Sequence, residues 1–229
     1  MPRQPLPRNL HAGPWGFGPF LVATERPEHT RLIGACITVW PTVSHQMGLI
    51  LGTLLGAKNE GAIAVFSTLQ NARARRDALN AAAEFKLNER QQELFEAILV
   101  AVGAAEKERN NLAHGCYGTS AAIPDGILWL ESKRFGPWNM KAMIGDPKIT
   151  QDDYKELAQY IFVYRQSDII EVYDRLRDAF TITWEFLDYI RIFPRPMSPE
   201  DDAKYHQLCK IPRVATALVQ LRSGKKNNP

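Results

Sequence analysis

Apolar residues recur at helical spacing along most of this chain, and the breaks between runs predict where elements begin and end. From Arg31 to about Gly56 the apolar positions fit a buried helix, bent or restarted at Pro41, because proline has no amide hydrogen for an interior helical bond. Asn59-Glu60-Gly61 interrupts the pattern. A second helix is predicted from about Ala62 to Glu84, with Ile63, Phe66, Leu69 and Leu79 inward and Arg73, Arg75 and Arg76 on its polar side. Asn88 followed by Gln91 reads as an N-cap with its reciprocal partner, opening a third helix on which Leu94, Ile98 and Val102 share a face. That helix is predicted to end near Ala113 or His114, with Gly115 in the left-handed conformation that closes many helices.

Beyond Gly115 the texture changes. Cys116 to Ala122 and Gly126 to Lys133 are short runs joined by Ile123-Pro124-Asp125-Gly126, a turn signal, so a β-hairpin is predicted, with Trp138 to Ile144 as a third strand. After Gly145-Asp146-Pro147, Thr150 and Asp153 offer another capping pair, and Gln151 to Phe193 contains neither Gly nor Pro, which predicts one long helix or two. Ser198-Pro199-Glu200-Asp201 places a cap, a first-turn proline and acids at the start of a last helix, interrupted at Pro212. The expected fold class is therefore mainly all-α: an antiparallel helical bundle with a small β-hairpin insertion, at about residues 116–145, after the third helix. Residues 1–28 are expected to be a flexible arm, 29–222 one helical domain, and 223–229 a disordered tail.

Composition alters this picture little. With 45% hydrophobic and 23% charged residues among 229, the chain can bury a core unaided. A formal charge of +3 permits nucleic-acid binding without arguing for it. Cys36, Cys116 and Cys209 are odd in number, far apart, and form no zinc-like spacing, which predicts a reducing cytoplasm, and no metal or cofactor is expected. The first 20 residues lack the compact apolar run of a signal peptide. Leu32 to Ala57 has no Asp, Glu, Lys or Arg and is long enough to span a bilayer, but Pro41, Ser44, His45 and Gln46 in its middle would be costly in lipid, so no membrane association is expected. Gly48, Gly52 and Gly56 at four-residue spacing instead predict a closely packed seam, within the core or between subunits. No phosphate-binding GxxxxGKS, GxGxxG or HExxH motif occurs.

The densest chemistry lies at the end of the third helix, in Glu108-Arg109-Asn110-Asn111-Leu112-Ala113-His114-Gly115. Asn110 and His114 are four apart and share a face, and Arg109 is long enough to reach over. His114 lies near the partial negative charge of a helix C-terminus, a setting that suits a general acid. Cleaving RNA needs a base for the ribose 2′-OH, an acid for the leaving 5′ oxygen, and a cation for the phosphate. His114 can serve as base or acid, and the planar fork of Arg109 can hold the phosphate.

The six residues Arg109 to His114 resemble the Arg, polar residue, three others, His signature of the HEPN superfamily of helical proteins, and the predicted setting at the end of a third helix, before a hairpin and a long helix, is similar to that of bacterial HEPN-like proteins. The resemblance implies a metal-independent endoribonuclease that works as a homodimer, with Arg109, Asn110 and His114 of both subunits facing one cleft. It implies that Asn110 positions the Arg and His or contacts the phosphate, and that products carry a 2′,3′-cyclic phosphate. Such proteins serve in toxin–antitoxin and phage-defence systems, so an antitoxin or other regulatory protein is an expected partner beside the RNA substrate.

Other readings stand beside this one. A His followed by Gly also ends a helix for purely structural reasons. The same fold could be a non-catalytic module for dimerisation, or for binding a partner or a nucleotide, in which the glycine stripe matters more than His114. The arginines at 73, 75 and 76 read first as a solvated face, with RNA contact as the rival. His45 reads as a hydrogen-bonded core histidine, with a place across a cleft from His114 as its rival. Tyr117 and Trp129 read as sheet packing before RNA stacking, and Cys116 as a small buried residue before a nucleophile.

Overall fold

The structure, a computed structural model, describes residues 3–57, 59–143, 150–191 and 198–226. Among them are ten α-helices and one antiparallel sheet of five strands in the order β1-β5-β4-β3-β2. The chain divides into two compact units rather than one: Met1–Thr38 with Lys107–Arg175, and Val39–Glu106 with Leu176–Pro229. The division falls within the three longest helices, α2 (Pro27–Leu55), α5 (Glu89–Ala113) and α8 (Gln166–Arg191). No helix among the described residues is long and apolar enough to cross a membrane.

The first unit holds the sheet. The two runs on either side of the Pro124-Asp125 turn become β3 (Gly115–Thr119) and β4 (Gly126–Glu131), paired antiparallel with Tyr117 opposite Trp129. The expected third strand is instead helix α6 (Ser132–Met143): Phe135 and Trp138, three apart, turn their rings onto the core at helical spacing. The last residue of that expected strand, Ile144, lies outside the described residues. A strand that periodicity hid, β5 (Phe162–Arg165), separates α7 (Gln151–Ala158) from α8 and pairs with β4. Absence of Gly and Pro from Gln151 onward concealed it, although Phe162-Val163-Tyr164 is a β-favouring run.

Residues 1–28, expected to be a flexible arm, carry two short strands and a helix within their described part. Strand β1 (Gln4–Pro5) pairs with β5, β2 (Gly16–Phe17) pairs with β3, and α1 (Pro19–Glu25) follows. Leu6 and Val22 are buried, and Trp15 and Phe17 pack on the cluster of Leu128, Leu130, Leu157, Ile161 and Val163. Burying these side chains gives the arm the apolar contact that its Pro- and Gly-rich composition disguised. Arg26 and His29 then fasten the β3–β4 turn. The Arg26 guanidinium donates to the carbonyls of Gly126, Ile123 and Ser120 at 3.3–3.5 Å, and His29 Nε2 donates to the Asp125 carbonyl at 3.2 Å.

The second unit is helical. Helix α2 ends where Gly56 takes φ +63°, a left-handed position that glycine fills without strain. The single helix expected over 62–84 is two, α3 (Asn59–Thr68) and α4 (Ala72–Lys86), because the Asn71 side chain accepts the Arg73 amide at 2.8 Å and caps a new start. The Asn88–Gln91 pair forms as predicted, each side chain accepting the other residue's amide at 3.0 Å. The box at Ser198 and Asp201 opens α9 (Pro199–Lys210) in the same way, and α10 (Pro212–Lys226) starts at the expected proline but continues through residues read as tail; 227–229 lie outside the described residues. Gly48 brings α3 close, since an added Cβ would meet Ile63 at 3.4 Å, while Gly56 faces open space, so the glycine stripe acts at Gly48 and not along its whole length.

Candidate active site

Helix α5 delivers Arg109 and Asn110 in its last turn, in the first unit, with His114 immediately after it. Four terminal carbonyls of any helix lack intrahelical donors and must find others. Here the sheet supplies them. The His114 amide closes the final turn on the Asn110 carbonyl at 3.0 Å. Trp129 Nε1–H donates to the Asn111 carbonyl at 2.8 Å, and the Tyr117 hydroxyl donates to the Leu112 carbonyl. The carbonyl of His114 itself accepts the amide of Ser132, at 3.4 Å, and its hydroxyl.

This capping explains Gly115 differently from expectation. Its φ is not positive, so it is not a left-handed terminator; it begins β3, and an added Cβ would lie 2.7 Å from Cε2 of Trp129 and closer still to Nε1 and Cδ1. Glycine is needed so that the indole can pass close to the backbone on its way to Asn111. Trp129 is buried, and its ring lies 4.1 Å from the Arg3 guanidinium, which also lies 4.4 Å from the Phe162 ring. Both hairpin aromatics therefore use their polar atoms on the helix end, the packing role, and neither polar atom is left for a base. Beside them the buried Tyr164 hydroxyl is pushed up to about 12 by burial, with Arg3 opposing the rise. Tyr117 is raised as well, mainly by burial.

The polar groups at the helix end differ in how far they are committed. Glu108 is buried and lies 3.9 Å from Arg175, which also pairs with Glu171. Arg109 is half-buried. Its Nη1 donates to Asn110 Oδ1 at 3.0 Å, its enclosed Nε has no partner, and no carboxylate pairs with it among the described residues. His114 is exposed. A guanidinium oriented by a neutral amide, rather than neutralised by an acid, keeps its charge for an anion, and an exposed imidazole one turn beyond Asn110 can exchange protons with whatever that anion carries.

The remaining expectations divide. His45 is exposed rather than a core histidine, because α2 buries its neighbours Gln46 and Met47 instead. Cys116 is half-buried with Sγ 3.8 Å from Ser132 Oγ. Cys36 is fully buried, its thiol pushed up to about 12 by desolvation, which makes it inert. No group of three or more His, Cys, Asp or Glu side chains among the described residues is placed to hold a metal ion. Sequence reasoning missed Ser132 and Arg3, whose roles depend on strand register and on an N-terminal strand with little signal of its own. No family model, curated protein or solved structure matches this chain.

Proposed function

We propose that this chain is a metal-independent endoribonuclease of the HEPN type, an antiparallel helical bundle whose β-hairpin follows the catalytic helix, working in the cytoplasm as a homodimer. In that reaction one imidazole takes the proton from a ribose 2′-OH, and the 2′ oxygen attacks the adjacent phosphorus. The bond to the 5′ oxygen then breaks, and the partner subunit's imidazole supplies the proton that the leaving oxygen needs. The product is a 2′,3′-cyclic phosphate. His114 fills the proton-transfer role, Arg109 holds the phosphate, and Asn110 orients Arg109 through the 3.0 Å bond to Nη1. A toxin or phage-defence effector with a protein antitoxin is the biological setting this chemistry fits.

One observation carries the reading: at a helix end where the carbonyls of Asn110, Asn111 and Leu112 already have donors, Arg109 has no acidic partner among the described residues and His114 is exposed. A residue present only to cap the helix would turn inward, toward those carbonyls. The test is incubation of purified protein with RNA in excess chelator. Cleavage should yield cyclic-phosphate ends and should be lost in His114→Ala and in Arg109→Ala, with circular dichroism unchanged. Intact RNA at micromolar dimer would favour the non-catalytic module, and undiminished cutting by His114→Ala would reject the assignment of the site.

A further inference from the structure

The arginines of α4 border a cavity of about 470 Å³ in the second unit, within the range of about 300–1,000 Å³ that small-molecule pockets occupy. Its walls come from α2, α3, α4 and α5 and are mostly apolar: Trp40, Met47, Phe66, Leu79, Leu99 and Val102. The polar part of the lining is Ser44, Arg73, Arg75, Arg76 and a single acid, Glu106.

The cations are arranged rather than scattered. Arg75 Nε donates to the Leu69 carbonyl at 2.6 Å, Nη1 reaches Ser44 Oγ at 3.5 Å, and the guanidinium lies 5.2 Å from the Phe66 ring centroid, so its direction is fixed. Arg76 is exposed and has no hydrogen-bond or ion-pair partner among the described residues. Arg73 shares only an exposed 3.8 Å pair with Asp77, which solvent weakens. Gly103, also in the lining, is exposed, and a Cβ there would meet nothing within 4 Å.

We propose that this cavity binds a small amphipathic anion, an acyl chain ending in a carboxylate, with the chain among Met47, Leu79, Leu99 and Val102 and the headgroup on Arg75 and Arg76. Met47, Leu79, Leu99 and Val102 offer a chain a run of aliphatic contacts, and the face of Phe66 is already covered by Arg75. The site is independent of Arg109 and His114. Calorimetric titration of the full chain with dodecanoate below its micelle concentration should give saturable binding at one site, unchanged in His114→Ala. Gly103→Trp adds a bulky side chain at a lining position where a Cβ has space, and should abolish the signal while circular dichroism stays native. Arg76→Gln should weaken binding about 10-fold, the worth of a charge-assisted hydrogen bond, and dodecanol should bind weaker by a similar factor. No saturable dodecanoate binding, undiminished binding to the Gly103→Trp protein, equal affinity for dodecanol, or preference for adenosine monophosphate would each overturn the assignment.

Discussion

Replacing Gly115 by alanine tests the physical account of the helix end most directly. The new Cβ would sit 2.7 Å from Trp129 Cε2 and nearer to Nε1, against the 3.4 Å at which ordinary contact begins. The indole would have to retreat by more than the about 0.7 Å that Cε2 alone requires, because Nε1 and Cδ1 lie nearer still, a shift large enough to carry its 2.8 Å bond to Asn111 outside hydrogen-bonding range. Trp129 cannot swing aside easily, since it is buried under Arg3 and edge-on to Phe162. Overpacking costs about 1–3 kcal/mol, and orphaning a buried donor and acceptor costs about 1–3 more, so a loss of about 2–6 kcal/mol is expected. For a chain of this size that lowers the thermal midpoint by roughly 4–24 °C. Urea and thermal unfolding of Gly115→Ala, Gly115→Asn, Trp129→Val and the Gly115→Ala/Trp129→Val double variant give the answer. Alanine should be costly alone and nearly free once Trp129 is reduced to valine. If asparagine is tolerated, or alanine costs the same in both backgrounds, the glycine is a conformational terminator and the space argument fails.

Three further outcomes follow from named contacts. Burial, then the neighbouring Arg26, hold His29 below its ordinary range against the smaller opposing effect of Glu28; the unfolded chain therefore takes up a proton below about pH 6.5 that the folded chain resists, and stability should be full above that pH and fall beneath it. Urea midpoints at pH 5 and 7.5 should differ less in His29→Gln. Arg109→Lys keeps the charge but loses the fork that bonds Asn110 and that the proposed reaction sets on the phosphate, so under that proposal RNA cleavage should slow about 10- to 100-fold in single-turnover assays, with stability unchanged. Asn88→Ala removes the cap at the start of α5 and should cost about 1 kcal/mol in urea unfolding, with no change in the position of its other end and hence in cleavage.

The sequence was most legible where a local bond decides local structure. The reciprocal pairs at Asn88–Gln91 and Thr150–Asp153 form as spacing predicted, and the cap expected at Ser198 forms with Asp201 as its partner, because capping needs only side chains three residues apart. The candidate site was legible as a list of residues for the same reason: Arg109, Asn110 and His114 lie within six consecutive residues. What could not be read was anything settled by distant partners. β1 is two residues long and exists through pairing with residues 162 and 163; β5 follows a helical pattern and is defined by its pairing with β4. The Trp138 region alternates well enough to look like a strand, and core contacts made at helical spacing decide otherwise. His45 and Gln46 are adjacent polar residues in an apolar helix, and only the Thr183 hydroxyl, which donates to Gln46 Oε1 at 2.5 Å, determines which one is buried.

Those distant partners bear on the site as much as its own residues do. A two-stranded hairpin is marginal in water, and β3 and β4 gain neighbours on both sides only because β5, β1 and β2 complete the sheet. Alternation along β4 sends Leu128 and Leu130 to the core cluster on one face and Trp129 to the other, where its indole closes the α5 carbonyl at Asn111. Arg3, from just before the first strand, lies over that same indole. A continuous set of contacts therefore runs from the N-terminal segment through the middle strand of the sheet to the helix turn that carries Arg109 and Asn110. Because Ser132 takes the carbonyl of His114 and the His114 amide bonds the Asn110 carbonyl, the backbone on both sides of the imidazole is held while its ring is exposed. A rigid backbone beneath an accessible titratable side chain is the arrangement that positioning a proton donor or acceptor requires.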